Sequence, residues 1–208
     1  MSCLVLIHGM GQTASSWHEV ANRIKAAEDI YIPELYNLEK NQDCTFESLY
    51  HNFERECDSL EGPLDLCGLS IGGMIALKYV IEHKERVRSA IFIATQYKSP
   101  GVLLRIQNMV FKLLPASNFI STGLTKQQFI NLSRSMMHFD YTSALREINC
   151  PVKVICGKKD QANIKASIRM AEAIQGASFL EIPDSGHEVN IDAPAALAEA
   201  INSFLLKQ

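Results

Sequence analysis

Three residues lying far apart in the chain have the types and surroundings that acyl transfer requires. Ser70 sits in Gly68-Leu69-Ser70-Ile71-Gly72, directly after the apolar run Leu64-Asp65-Leu66-Cys67 and before Gly73 to Tyr79, which has a helical pattern. A serine between strand and helix, with glycine two before and two after, can be held in a strained turn with its hydroxyl exposed. The first turn of the helix behind it offers backbone N–H groups where a negative oxygen would form. Asp160 follows the strand-like run Val152 to Gly157, and His187 lies in Pro183-Asp184-Ser185-Gly186-His187-Glu188 after a second such run, Ala177 to Ile182. Hydroxyl, imidazole and carboxylate are the nucleophile, the general base and the orienting acid of serine acyl transfer. Leu4-Val5-Leu6-Ile7-His8-Gly9-Met10-Gly11 reads as a buried strand entering a glycine-rich turn, which supplies a second backbone donor.

The elements that must position these groups follow from periodicity. Leu4–His8, Leu64–Cys67, Ala90–Ala94, Val152–Cys156 and Phe179–Ile182 read as buried strands, with a shorter one at Ile30–Ile32 that stops at Pro33. Helical patterns cover Ser16–Ala27, Thr45–Leu60, Gly73–His83, Lys165–Ile174 and Ala195–Leu206. Continuous apolar strands alternating with helices are the pattern of a parallel sheet covered on both faces, a doubly wound α/β architecture. Thr45 opens a helix with acid in its first turn, and Asp192-Ala193-Pro194 predicts a capping aspartate and a proline before the last helix.

The four motif blocks together make the chain resemble the α/β-hydrolase superfamily from about residue 3 to about residue 206. The order Ser70, Asp160, His187 is the family's order. The resemblance implies that Met10 and Ile71 donate the oxyanion-hole N–H groups. It also implies a small carboxylic ester as substrate, cleaved through an acyl-enzyme on Ser70 with no cofactor and no metal. Relatives usually carry two more strands before the histidine turn, which are missing here, so six strands are expected, all parallel, with Ile30–Ile32 at one edge. Some relatives place the acid after the strand preceding Asp160's own. Here that strand ends in Ala94-Thr95-Gln96-Tyr97 without a carboxylate, which leaves Asp184 and Glu188 as the nearby rivals of Asp160. Lyase or C–C hydrolase chemistry on the same residues, and a ligand-binding receptor with a slow site, are the alternatives that fold alone leaves open.

The chain has 208 residues without an internal repeat or low-complexity linker, consistent with one domain over 1–208. Its 20 Lys and Arg against 23 Asp and Glu offer no electrostatic reason for nucleic acid or an anionic membrane as partner. No apolar run approaches the roughly twenty residues that span a bilayer, and the first strand leaves no room for a leader, so a cytoplasmic protein is expected. Six irregularly spaced cysteines, three of them in strand-like runs, are expected as buried reduced thiols, and no pair has metal-site spacing.

Residues 98–149 fall where the family inserts its lid. Leu103, Leu104, Ile106, Met109, Val110, Phe111, Leu113 and Leu114, then Phe129, Met136, Met137 and Phe139, are too apolar for solvent-washed helices. They predict a short helical lid whose inner face binds an apolar group, with Phe111, Phe139, Met109 and Met136 as the substrate-binding candidates. Trp17 is assigned to the core, His8 to bracing the oxyanion turn, and Asp140 to an N-cap or hinge. Oligomeric state is not readable.

Overall fold

The computed structural model describes residues 2–38, 42–99, 101, 109–117, 119 and 123–208. Six strands form its sheet: β1 (Cys3–Ile7), β2 (Asp29–Tyr31), β3 (Leu64–Leu69), β4 (Val87–Ile93), β5 (Val152–Gly157) and β6 (Ser178–Ile182). All pairings are parallel, in the spatial order β2-β1-β3-β4-β5-β6, so the short strand with Pro33 beyond it occupies an edge as expected. The order reverses direction after β1, which is the doubly wound topology.

Alternation along each strand divides the core in two. Val5, Ile7, Leu64, Leu66, Ala90, Phe92, Val152 and Val154 pack on one face under α2 (Phe46–Asp58), α3 (Ile71–Glu82) and α5 (Ile164–Ala173). Leu4, Leu6, Cys67, Leu69, Ile91, Ile93 and Ile155 pack on the other with Trp17, Val20 and Val189, under α1 (His18–Ala21), the short α6 (Val189–Asp192) and α7 (Pro194–Leu205). Because both sets are buried, the strands read as unbroken apolar runs. Trp17 is completely buried, in keeping with its core assignment. All six cysteines are free thiols, five of them buried. Among the described residues no helix is long and apolar enough to cross a membrane.

Two local readings are corrected. The pattern over Ser16–Ala27 yields only a 3-10 turn at Ala14–Trp17 and the four residues of α1. Asn202 on α7 takes over the following backbone: its Oδ1 accepts from Lys25 and Ala26 N–H at 2.7 and 3.0 Å, and its amide donates to the Arg23 carbonyl. Asp192 does not cap α7 either. Ala193 is the N-cap residue and makes no side-chain bond, while Pro194 takes the first helical position as expected. Thr45, by contrast, forms a full capping box with Ser48.

The segment expected as a lid leaves and re-enters the body through a narrow neck. Lys98 and Asp140 face each other in a single antiparallel bridge, flanked by Ser99 N–H to the Phe139 carbonyl at 2.9 Å and Tyr141 N–H to the Tyr97 carbonyl at 2.8 Å. The Lys98 ammonium, 2.8 Å from Asp140, and the Thr142 donors hold the Asp140 carboxyl well below the usual carboxylate range. Beyond the neck, α4 (Lys126–Ser135) starts from a Thr125 capping box. Leu103, Leu104 and Ile106 lie outside the described residues.

Candidate active site

The parallel arrangement brings the C-terminal ends of β1, β3, β4, β5 and β6 to one edge of the sheet, and all the residues singled out for chemistry sit in the turns beyond those ends. Ser70 is the N-cap of α3, with φ 55° and ψ −115°. This is a disfavoured backbone for a residue with a Cβ, worth about 1–3 kcal/mol of strain. The surroundings enforce it: Ser70 N–H donates to the Ile93 carbonyl at 2.8 Å, and its own carbonyl accepts from Met74 N–H at 3.0 Å.

The flanking glycines are required by close approach. A Cβ on Gly68 would overlap the Gly72 carbonyl, one on Gly72 would lie 2.6 Å from the His8 carbonyl oxygen, and one on Gly73 would overlap Thr95 Oγ1. The strand, the elbow and the helix are thus closely packed, and within the elbow the positive φ falls on the serine; Ala94 after β4 and Asp184 before the histidine share that conformation, with φ 48° and 58°.

In the turn after β1, Gly9 N–H donates to Gln12 Oε1, Gly11 N–H to the Tyr36 hydroxyl and Gln12 N–H to the Gly9 carbonyl. Met10 N–H has no partner among the described residues, and neither has Ile71 N–H at the start of α3. His8 is fully buried. Its Nδ1–H donates to the Gly9 carbonyl at 3.0 Å and its Nε2 accepts from Leu35 N–H at 3.1 Å, so the ring braces the turn. Burial pushes its pKa down, against the pull of Glu34 Oε1 at 3.2 Å from Nε2, and Leu35 N–H needs the lone pair that protonation would remove.

A stability prediction follows from that sign. The unfolded chain binds the His8 proton more readily than the folded one, so this contribution is complete above the ordinary histidine value of about 6.5 and declines as pH falls below it. Between pH 7.5 and 5, the thermal midpoint of the wild type should therefore fall more than that of His8→Gln. Equal slopes would refute the neutral, bracing ring.

Asp160 and His187 meet. His187 Nδ1–H donates to Asp160 Oδ2 at 2.7 Å, and Nε2 has no hydrogen bond among the described residues. The turns that carry them interlock: Lys158 N–H donates to the Ile182 carbonyl, Lys159 N–H to the Ser185 carbonyl, and a Cβ on Gly157 would overlap the Ser185 and Gly186 carbonyls. Burial of Asp160 opposes its ionisation, but hydrogen bonds from His187 and Asn163 outweigh it and hold the carboxyl below its ordinary value. The rivals are placed elsewhere. The Asp184 side chain is 94% exposed and faces Lys159, and Glu188 Oε1 accepts from Gln12 Nε2 at 3.0 Å. No hydrogen bond joins the Ser70 hydroxyl to the His187 ring among the described residues.

The structure adds residues that carry no motif. Gln12 is buried and ties the two loops together: its Oε1 also accepts from Asn190 Nδ2 at 3.2 Å, and its Nε2 donates to Asn190 Oδ1 as well as to Glu188. Asp192 Oδ2 accepts from Gly186 N–H at 2.7 Å and so positions the residue before His187. Asn163 and Gln96 continue the chain of bonds behind Asp160. The Gln12 and Gln96 contacts form only after distant turns have met, so no local signal announces them, whereas Asn163 and Asp192 bond within six residues.

The substrate-binding candidates are placed in the 98–149 segment as follows. The Phe111 ring lies edge-on to Phe129 and Phe119, with centroids 4.8 and 6.0 Å away. Met136 is buried in the core, Phe139 packs beside Tyr141 at 5.8 Å, and Met109 is 60% exposed. Elsewhere Glu54, Glu82 and His83 bring metal-ligand atom types within 4.8 Å of one another. Glu54 on α2 meets Glu82 and His83 at the end of α3 remote from Ser70, and they are engaged with neighbours: Glu54 accepts from His83 at 2.8 Å, and Glu82 accepts from the Tyr50 hydroxyl.

Sheet, elbow and loop arrangement define an α/β-hydrolase. The chain belongs to the Alpha/beta hydrolase family, whose sequence model matches residues 4–200. It is similar to the pimeloyl-[acyl-carrier protein] methyl ester esterase of Nitrosomonas europaea, at 27% identity over 44% of this chain and 36% of that protein. It is also similar to the biotin biosynthesis bifunctional protein BioHC of Teredinibacter turnerae, at 26% identity over 100% of this chain and 45% of that protein. The chain thus spans less than half the length of these two curated relatives. Among solved structures, a thermophilic esterase from Thermogutta terrifontis superposes with TM-score 0.81 at 19% identity, covering 100% of this chain and 90% of that one. An enol-lactonase from Burkholderia xenovorans gives TM-score 0.80 at 20% identity, covering 99% and 91%, and these two likenesses concern the fold.

Proposed function

We propose that the protein is a serine hydrolase acting on a small carboxylic ester through an acyl-enzyme on Ser70. The observation that carries this reading is the strained Ser70 at the elbow, on the same sheet edge as a His187 whose Nδ1–H is held 2.7 Å from a buried, ionised Asp160. The His187 Nε2 lone pair takes the Ser70 proton as Oγ attacks the ester carbonyl, a contact that the substrate complex has to complete. The tetrahedral oxygen receives the Met10 and Ile71 N–H groups, each worth about 3–4 kcal/mol in comparable enzymes. His187 then passes its proton to the departing alcohol, and a water activated by the same ring releases the acid.

One curated relative is named for a methyl ester, which supports a small alcohol as leaving group. The apolar 98–149 segment, with Phe111, Phe139, Met109 and Met136, is the part of the chain that we assign to the acyl group. Incubation with a fluorophosphonate followed by peptide mapping should place the adduct on Ser70, and chromogenic esters of graded acyl length should be turned over many times per protein. An adduct on another serine would overturn the assignment. Release of a single equivalent of product followed by a stall would make the protein a receptor.

A further inference from the structure

Asp160 is a buried carboxylate with more than one donor. Asn163 Nδ2 lies 2.9 Å from Asp160 Oδ1 and 2.8 Å from Oδ2, and 3.1 Å from His187 Nδ1. On its other side, Asn163 Oδ1 accepts from Gln96 Nε2 at 2.7 Å. An ionised carboxylate can only accept, so Asn163 must turn its NH2 towards Asp160 and its oxygen away, and Gln96 must then present its own NH2 to that oxygen. Every polar atom in the row Gln96, Asn163, Asp160, His187 points the same way, and its direction is dictated by the charge on Asp160. The row crosses three separate turns, after β4, before α5 and after β6, so no stretch of backbone imposes it.

We propose that Asn163, oriented by Gln96, is a positioning residue for the reaction: it keeps the Asp160 carboxylate charged and aimed at His187 Nδ1–H. The inference rests on the serine hydrolase reading above. Without the Asn163 amide the carboxylate keeps its burial but loses a donor, which favours the protonated acid and weakens the hold on the histidine tautomer. A glutamate at position 96 acts on the same amide without replacing a residue in contact with Asp160. It removes the donor that holds the Asn163 oxygen and competes with Asp160 for the Asn163 NH2.

The test compares Asn163→Leu and Gln96→Glu with the wild type on a chromogenic ester across pH. Both variants should lose about 10- to 100-fold in kcat, the worth of a hydrogen bond to a charged group, with KM little changed. The loss should persist on the pH-independent plateau of kcat/KM, because it comes from the aim of the carboxylate at His187 and not from the protonation state of the base. The low-field proton resonance of His187 Nδ1–H should shift or broaden in both. Should Asn163→Leu fail to fold, Gln96→Glu decides, because its side chain is half-buried and nearly isosteric. Profiles and resonance matching the wild type, with Ser70→Ala inactive, would overturn this inference alone. Full turnover by Ser70→Ala would remove the hydrolase reading on which it rests.

Discussion

Ser70→Ala is expected to abolish ester turnover, lowering kcat by about six orders of magnitude, and to eliminate fluorophosphonate labelling. No neighbour can take over the role proposed for Ser70, since Leu69 and Ile71 are buried and the backbone around it is closed by contacts at Gly68, Gly72 and Gly73. The residual rate should stay above that of water, because the Met10 and Ile71 donors are main-chain groups that the substitution leaves in place. Alanine keeps a Cβ, so the strain at φ 55° persists and thermal stability should hardly change. Ser70→Gly should be equally inactive but more stable than Ser70→Ala, by about 1 kcal/mol, because glycine adopts positive φ freely. A glycine variant melting below the alanine variant would show that Ser70 carries no strain.

Asp160→Asn should lower kcat by about four orders of magnitude while the protein remains folded. The carboxylate accepts Nδ1–H of His187 at 2.7 Å and stabilises the ring when it becomes charged. A neutral amide of the same shape can instead donate to Nδ1, which moves the ring proton to Nε2 and removes the lone pair that Ser70 needs. Asp184→Asn and Glu188→Gln should cost little, the first because it changes an exposed pair with Lys159, the second because it alters a bond to Gln12 outside the His187 contact. Stability offers a second measurement. Because the folded Asp160 pKa lies below its ordinary value, its contribution is complete above the unfolded pKa near 3.8 and is lost as pH falls through the folded value. Acid denaturation of Asp160→Asn should lack that component. A rate loss concentrated in Asp184→Asn or Glu188→Gln would move the acid to one of those residues.

How far these expectations were legible from the chain depends on the range of the interaction involved. Strand positions, the edge place of Ile30–Ile32 and the reversal of sheet order followed from apolar runs and from the family resemblance, and burial on both sheet faces is what makes such runs conspicuous. The elbow was legible because part of its requirement is local: Gly68 is demanded by Gly72 and Gly73 in the same strand–turn–helix unit, whereas Gly72 answers to Ile7 and His8 at the end of the adjacent β1. The Ser16–Ala27 pattern misled because Asn202, 176 to 179 residues away, captures the backbone on which a longer helix would depend. Asp192 misled for a shorter-range reason: the Gly186 N–H, only six residues back, takes its carboxylate away from the helix end.

Apolar runs and the elbow motif, taken with the resemblance to α/β-hydrolases, placed a serine, an aspartate and a histidine beyond the ends of parallel strands, because strand and elbow signals are short-range. Which polar groups meet behind those residues was decided only in three dimensions. Gln12 reaching Glu188 and Asn190, and Gln96 reaching Asn163 beside Asp160, join turns that the chain separates by as many as 178 residues. A side-chain amide is equally at home on a solvated surface, so its partners depend on where the folded sheet delivers the neighbouring turns.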